Sequence, residues 1–338
     1  MKAAILEKID APLTIKEVDL TPLKFGQVLV KILVSGLCGA QLHEIRGHKG
    51  NAKFLPHLMG HEGCGIVEKV GLGVTTVKPG DKVVMHWRPG SGVEAPFPNY
   101  ILDGKTISSG KVTTLSESSI VSENRVTKID SDTPSVLAAM LGCSLTTALG
   151  IIDNECDLKF GESVAVIGCG GVGLNLIQAA AMKSATPIVG VDINPSMRDL
   201  SVKMGAEVFT SDLLSIPIDI DVIIDTTGNA NVLAQAYNKL GPSGRLILVG
   251  QPAPGKSVEI PNAVSMFDGA GKSIRATQGG RTDPQTDIPR YIGLAKKEVL
   301  DWKTLHTDTF SLDEVNDAFD LLKSGNAGRI MIEIGEVE

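Results

Sequence analysis

A chain of 338 residues is long enough to form two domains, each with its own hydrophobic core. Its formal net charge of -7 argues against a nucleic-acid partner, because phosphate recognition needs clustered Lys and Arg. No apolar run reaches membrane-spanning length, and the first residues lack the apolar core and cleavage site of a signal peptide. We therefore expect a cytoplasmic protein with no membrane partner.

The cysteines are odd in number and widely scattered, which does not indicate a disulfide framework. This pattern fits a reducing compartment, where any function of a cysteine is metal or thiol chemistry. The five are Cys38, Cys64, Cys143, Cys156 and Cys169.

The first 130 or so residues contain short apolar runs separated by Gly and Pro, which predicts a compact β-rich domain. Strands are predicted at residues 26–34 and 65–70, and a turn at 78–81 leads into a third. Residues 134–150 are rich in Ala, Leu and Ser and predict one helix.

Strands and helices alternate from Glu162 onward, which predicts βαβ units and a doubly wound parallel sheet. The predicted strands are 163–167, 187–191, 208–210, 222–225, 245–249 and 273–276. In the tail, a capping box at 311–314 precedes an apolar helical face, Gly325 is a plausible helix stop, and 330–334 is a final strand.

Residues 168–173, Gly-Cys-Gly-Gly-Val-Gly, fit the G-x-G-x-x-G pattern of dinucleotide binding. The pattern follows a predicted strand and opens an apolar helix, with Gly171 and Val172 at its start. Gly168 permits the tight turn, Gly170 lets the backbone approach a pyrophosphate, and Gly173 lets the helix pack on the strand. The N-terminal amides of the helix are suited to binding phosphates.

Asp192 ends the strand that follows this helix. Its carboxylate can accept hydrogen bonds from the adenosine ribose hydroxyls, and its charge would repel a 2'-phosphate. The sequence therefore favours NAD over NADP as cofactor.

Three short segments carry potential zinc ligands, at Cys38, His61 and Cys143. One His and two Cys would leave one position of a tetrahedral zinc open, which is typical of a catalytic site. Each residue also has an ordinary explanation, since Cys is often a small buried residue and a single His is often a satisfied polar group. The residues alone leave both interpretations open.

Residues 60–71, GHEGCGIVEKVG, resemble the zinc signature of the medium-chain dehydrogenase/reductase superfamily, in its alcohol and polyol dehydrogenase branch. Residues 78–83 match the turn that follows this signature, and the resemblance runs essentially end to end. It implies an α/β fold with a GroES-like, β-rich catalytic domain at 1–144, completed by 279–338. A Rossmann NAD-binding domain would occupy 145–278.

The same resemblance places Cys38, His61 and Cys143 at the zinc-ligand positions. Glu62 would lie behind the metal and can act as an alternate ligand. Arg329 matches an arginine that contacts the cofactor phosphates, although it could instead be a solvated charge at the end of a strand.

The chain departs from the family pattern in the lobe between residues 85 and 119, which contains no Cys. Many members hold a structural zinc there with four closely spaced cysteines. We therefore expect one catalytic zinc per chain, no structural zinc, and NAD.

A second departure affects the route by which the substrate proton leaves. Ala40 and Gln41 stand where the family usually has a hydroxyl residue and an Asp. Ala40 cannot carry a proton, whereas Gln41 could hydrogen-bond the ligand His61. His43 matches the outer relay histidine and could act through water, as could Glu62; a structural role for His43 is the alternative.

The expected reaction is hydride transfer between NAD(H) and a small-molecule secondary alcohol or ketone, here a polyol, a sugar alcohol or an anionic hydroxyl compound. Trp87 would line the substrate pocket or anchor the lobe. His86 and Arg88 beside it favour a hydrophilic substrate, unless Arg88 merely pairs with Glu94. Positive potential could be added by basic residues between the first two ligands, namely Arg46, Lys49 and Lys53.

Two other functions remain open on the sequence. One is a zinc-free quinone or enoyl reductase of the same superfamily, which retention of the three ligands argues against. The other is a catalytically silent NAD-binding protein, which only Ala40 favours. We expect a homodimer or a homotetramer whichever of these functions the protein has.

Overall fold

The structure, a computed structural model, describes residues 1–260 and 262–336. Its strands are β1 (Lys2–Leu6), β2 (Thr14–Glu17), β3 (Asp19–Leu20), β4 (Gln27–Gly36), β5 (His57–Leu58), β6 (Glu62–Val70), β7 (Lys82–His86), β8 (Tyr100–Leu102), β9 (Lys105–Ile107), β10 (Ser118–Ser122), β11 (Val126–Lys128), β12 (Val164–Ile167), β13 (Ile188–Val191), β14 (Val208–Thr210), β15 (Ile220–Asp225), β16 (Leu240–Leu248), β17 (Ser273–Ala276), β18 (His306–Ser311) and β19 (Arg329–Glu333).

Its α-helices are α1 (Gly39–Ile45), α2 (Ser135–Met140), α3 (Ser144–Asn154), α4 (Gly171–Met182), α5 (Arg198–Lys203), α6 (Ala230–Lys239), α7 (Pro284–Lys296) and α8 (Val315–Ser324). The chain divides into two compact units. Unit 1 contains Met1–Thr146, Asp283–Lys297 and the described residues from His306 onward. Unit 2 contains the described residues of Thr147–Thr282, together with Glu298–Leu305.

Unit 1 is built on a mixed sheet whose strands lie in the order β11-β7-β6-β4-β19-β18, with β10 also paired to β4. The long strand β4 is rich in Val, Ile and Leu, and all of its residues except Lys31 are buried. Strands of this composition are favoured where both faces of a sheet are covered. The β-rich N-terminal region predicted from the sequence is confirmed.

Unit 2 is a parallel sheet in the order β14-β13-β12-β15-β16-β17. The first strand of this sheet in chain order, β12, lies in the middle of the sheet and is fully buried. The strand order reverses beside β12, and such a switch point forms a ligand crevice at the carboxyl ends of the strands. The predicted Rossmann-type doubly wound sheet is therefore confirmed.

The single helix predicted over residues 134–150 is wrong, because the chain forms α2 and α3 with a break between them. The break lies where Gly142 passes directly against strand β7. A Cβ atom on Gly142 would lie 2.3 Å from the carbonyl oxygen of Met85. The interruption places Cys143 between the two helices rather than within one.

The observed units differ from the predicted domain boundaries in three places, since residues 145–146 belong to unit 1, whereas residues 279–282 and 298–305 belong to unit 2. Gln178 on α4 holds the last of these segments, since its amide oxygen accepts from the backbone N–H of Asp301 and its amide nitrogen donates to the Asp301 carbonyl.

The predicted tail elements are confirmed. Ser311 and Glu314 form the capping box, α8 buries Val315, Ala318 and Phe319, and Gly325 ends the helix in the left-handed conformation with φ of +70°. Across the described part of the chain, no helix has the length and apolar character needed to cross a membrane.

Candidate active site

Three elements of unit 1 bring Cys38, His61 and Cys143 together. Cys38 follows β4 and is the N-cap of α1, His61 immediately precedes β6, and Cys143 lies between α2 and α3. Their two sulfur atoms and one imidazole nitrogen all lie within 4.8 Å of one another.

The donor set fits a zinc ion. Ligands on a tetrahedral zinc, with bonds of about 2.1–2.3 Å, lie about 3.6–3.8 Å apart, so only a small contraction of this cluster is needed. Two sulfurs and one imidazole leave a fourth position open, as in catalytic sites. Among the residues that the structure describes, this is the group of His, Cys, Asp and Glu side chains arranged to hold a metal.

Cys38 differs from the other four cysteines in its acidity. A hydrogen bond with Cys143 holds the pKa of Cys38 well below its usual range, while the same bond and burial raise the pKa of Cys143. Burial is the main cause that raises the pKa of Cys64 to about 11, and that of Cys156 and Cys169 to about 12. Cys38 is therefore the cysteine whose pKa favours the thiolate, the form that binds metal.

Glu62 and Arg329 form a buried ion pair between Oε1 of Glu62 and Nη2 of Arg329, and both side chains are at most 3% exposed. The second Glu62 oxygen accepts from the backbone N–H of Ser144 at 3.2 Å. Gly36 leaves room for the pair, since a Cβ there would lie 2.8 Å from the Glu62 carboxyl carbon. A solvated role for Arg329 is therefore wrong, and its contact with cofactor phosphates stays a prediction.

The glycine-rich segment of unit 2 has the backbone that the dinucleotide pattern requires. Gly168 has φ of +87°, and a Cβ on Gly173 would lie 1.8 Å from the Gly168 carbonyl oxygen. Gly170 is the N-cap of α4, and a Cβ there would meet no described atom within 4 Å, so a ligand can approach the backbone. Gly171 and Val172 form the first turn of α4, whose N–H groups have no intrahelical acceptor.

Asp192 follows β13 and lies beside this segment. Its Oδ2 accepts from the backbone N–H of Cys169 at 2.7 Å, and its Oδ1 accepts from the N–H of Asn194 at 2.8 Å. These bonds orient a half-buried carboxylate next to the glycine-rich turn. Cys169 itself is fully buried, as expected of a small turn residue.

Two known domain families match most of the chain. The alcohol dehydrogenase GroES-like domain matches residues 24–131, and the zinc-binding dehydrogenase domain matches residues 171–297. The chain belongs to the zinc-containing medium-chain dehydrogenase/reductase superfamily.

Known proteins and structures align with this chain along nearly its whole length. S-(hydroxymethyl)glutathione dehydrogenase of Escherichia coli O157:H7 is 29% identical, covering 98% of this chain and 99% of that protein. An alcohol dehydrogenase zinc-binding domain protein from Burkholderia ambifaria has a TM-score of 0.90 at 25% identity, covering 99% of both chains. Benzyl alcohol dehydrogenase from Acinetobacter calcoaceticus has a TM-score of 0.88 at 23% identity, with the same coverage.

Gln41 hydrogen-bonds to Cys38 rather than to His61. Its amide oxygen accepts from the backbone N–H of Cys38 at 2.8 Å, and its buried amide nitrogen has no partner among the described residues. The hydrogen bond to His61 suggested by the sequence is therefore not formed. The bond that does form fixes the backbone at the metal ligand.

His43 lies on α1, five residues after Cys38, and is half-buried. Its ring centre is 5.7 Å from that of His48. Burial, followed by the positive charges of His48, Arg46 and Lys49, lowers the pKa of His43. A neutral imidazole at pH 7 is able to accept a proton, and the relay role of His43 stays a prediction.

His86 does not face a substrate, contrary to the sequence-based expectation. Its side chain is 2% exposed, Nδ1–H donates to the carbonyl oxygen of Arg88 at 2.7 Å, and Nε2 accepts from the Thr127 hydroxyl at 2.9 Å. Burial lowers the pKa of His86 to about 4. Both ring nitrogens are used to hold the lobe.

Trp87 and Arg88 contact each other, with the Arg88 guanidinium 5.6 Å from the Trp87 ring centre. The Trp87 carbonyl accepts from Arg125. Glu94, the carboxylate considered as a partner for Arg88, forms ion pairs with Lys111 at 2.6 Å and with Arg125 at 3.1 Å. The roles of Trp87 and Arg88 toward substrate stay predictions.

A residue that sequence reasoning missed, Glu123, holds the lobe that lacks cysteines. Its buried carboxylate accepts from the backbone N–H groups of Thr75, Thr76 and Val93 at 2.6–2.8 Å. Charge-assisted bonds of this kind are stronger than bonds between neutral groups. They tie residues 75–76 and 93 to a carboxylate 30 to 48 positions further along the chain, so no local motif could have predicted them.

Proposed function

We propose that this protein is a zinc-dependent dehydrogenase that transfers a hydride between NAD(H) and a secondary alcohol or its ketone. The observation that carries the proposal is the convergence of Cys38, His61 and Cys143, with ligand atoms within 4.8 Å of one another. A zinc-free reductase of the superfamily would have no need of this set.

The three ligands would hold one zinc ion and leave a position for the substrate oxygen. When bound, zinc would supply a Lewis acid that lowers the pKa of the substrate hydroxyl. Gln41 keeps the Cys38 backbone in place, and the Arg329–Glu62 pair places a fixed, compensated charge behind the ligands. This arrangement favours a rigid site with little reorganisation during reaction.

The chain must also accept the proton that leaves the hydroxyl. Ala40 has no group that can carry it, whereas the imidazole of His43 can accept a proton through a bridging water. The lowered pKa keeps His43 neutral at pH 7 and ready for this role.

The Rossmann unit would hold NAD through the backbone of residues 168–173 and the N-terminal amides of α4. Asp192, fixed by Cys169 and Asn194, would accept from the ribose hydroxyls and repel a 2'-phosphate. When bound, the nicotinamide ring supplies the hydride acceptor.

Elemental analysis, NADH titration and an alcohol screen with added zinc test this function together. We expect one zinc per chain, NADH binding, and oxidation of at least one secondary alcohol. Cys38→Ala should lose zinc and turnover but keep NADH binding, while Cys156→Ala, which removes a buried cysteine outside the cluster, should keep all three. Two zinc ions per chain, or none after reconstitution, would contradict the proposal.

A further inference from the structure

The segment between the first two zinc-ligand positions, residues 39–60, contains three Lys or Arg residues and one acidic residue, Glu44. Residues 45–61 contain Arg46, Lys49 and Lys53 but no Asp or Glu, in a chain whose formal net charge is -7. Such a local excess of one charge is not required by the fold, because exposed positions tolerate either sign.

Tight turns fold this segment back onto α1. Gly47 and Gly50 both have φ of +70°, and the backbone N–H of His48 donates to the carbonyl of His43 at 2.9 Å. The rings of His43 and His48 lie 5.7 Å apart, so Lys49 follows directly after a residue that contacts the helix. The seven residues of α1 rise only about 10 Å from its N-cap, Cys38.

The basic side chains lack carboxylate partners. Many lysines elsewhere in the chain form ion pairs, among them Lys2, Lys16, Lys111, Lys128, Lys183, Lys272, Lys296 and Lys323. Within the described residues, Arg46, Lys49 and Lys53 form no ion pair at 4.0 Å or less.

The three cations do not face the same surroundings. Lys53 lies over the ring of Phe54, at 5.0 Å from its centre. Arg46 lines a surface cavity of about 260 Å³ that also contains Asp10 and Asp320. Lys49 is exposed and directly follows His48, whose ring lies 5.7 Å from that of His43 on α1.

We propose that the substrate carries an ionised acid group, a carboxylate or a phosphate, which binds to the basic segment 46–53 with Lys49 at its centre. This inference rests on the proposed function and adds the substrate class to it. Screening at physiological ionic strength, where the Debye length is about 8 Å, reduces the effect of a unit charge about 10 Å away to roughly a third, so that several like charges together still attract an anion weakly. These charges do not attract a simple aliphatic alcohol, whereas they both attract and orient an anionic alcohol.

Alkylation of the cluster thiols tests the positive potential without any turnover. Iodoacetate and iodoacetamide both form an S–C bond with a thiolate and release iodide, but only iodoacetate is an anion. The ratio of their rates at Cys38 and Cys143, assigned by peptide mass, should fall about twofold at physiological ionic strength when Arg46, Lys49 and Lys53 are all changed to Gln, as three screened charges about 10 Å away predict.

The matched control changes Lys24, Lys69 and Lys105 to Gln, which removes the same net charge from exposed positions away from the segment. Its alkylation ratio should equal that of the wild type. Equal ratios in the wild type and the segment variant, or an equal fall in the control, would overturn the proposal.

Matched substrates test recognition and separate the two acid groups. Butan-2-ol is compared with 3-hydroxybutanoate, and glycerol with glycerol 3-phosphate. We expect the anionic member of at least one pair to have the higher kcat/KM, and the segment variant to lose that advantage through KM, with kcat little changed. Higher kcat/KM for the neutral member of both pairs would overturn the inference.

The two proposals can fail separately. If zinc and NADH bind but no alcohol is oxidised, the proposed function fails. The alkylation ratio then decides on its own whether the segment attracts anions.

Discussion

Burial of His86 should make this protein sensitive to mild acid. Its ring is neutral in the folded state, because the Arg88 carbonyl can only accept and so requires a proton on Nδ1, while Nε2 accepts from Thr127. Burial lowers the pKa to about 4, compared with 6.5 for an unperturbed His, and Arg125 and Asp283 are the charged groups that act on the ring.

Proton linkage determines whether stability rises or falls with pH. Because the folded pKa lies below the unfolded one, the unfolded chain binds the proton more readily, and stability is lost as the pH falls from about 6.5 to about 4. The full loss corresponds to about 3 kcal/mol, and the part between pH 7 and pH 5 to about 2 kcal/mol. For a unit of this size, the melting temperature should fall by roughly 4–8 °C over that interval.

Thermal unfolding at pH 7 and pH 5 measures the effect. His86→Gln should lower stability at pH 7, because it disturbs two buried hydrogen bonds, but should reduce the loss between pH 7 and pH 5 by about 2 kcal/mol. His48→Gln, which removes an exposed His, is the matched control and should behave as the wild type. If His86→Gln loses as much stability as the wild type on going to pH 5, the reasoning is refuted.

Three further predictions concern the cofactor and the metal site. Asp192→Gly should narrow the preference for NADH over NADPH by about tenfold, because it removes a charge near the 2'-phosphate; tighter NADPH binding by the wild type in fluorescence titrations would contradict this. Gly173→Ala should abolish NADH binding, since its Cβ would lie 1.8 Å from the Gly168 carbonyl, and unchanged affinity would mean that α4 can shift. Arg329→Met should cost about 3–5 kcal/mol of unfolding free energy, because Glu62 would be buried without its partner. Adding Glu62→Gln should restore part of that loss in chemical denaturation, and no recovery would show that the two residues are not coupled.

Features that depend on short stretches of sequence could be predicted. The turn at Gly168, the close approach at Gly173 and the position of Asp192 all follow from one βαβ unit, where local pattern and backbone geometry are tightly linked. Cys38, His61 and Cys143 could be named as candidate ligands from the family resemblance, and the structure brings them together.

Features that depend on packing between distant segments could not be predicted. Glu62 and Arg329 are 267 positions apart, and nothing local to Arg329 indicates that it is buried. His86 looks like a polar pocket residue until the pairing of β7 places it inside the unit. The helix break at Gly142 arises from contact with β7. The residues on either side of Gly142 favour a helix, so the local sequence does not indicate the break.

The position of β19 sets an order in which the two units can be completed during synthesis. All strands of the unit 2 sheet have been made once the ribosome has passed Ala276. The unit 1 sheet needs β19, which lies between β4 and β18 and also supplies Arg329, the partner of Glu62. A nascent chain can therefore complete the unit 2 sheet while the unit 1 sheet still lacks one of its interior strands. Until residues 329–333 emerge, the edge of β4 that will receive them is an open site for pairing with other chains or for chaperone binding.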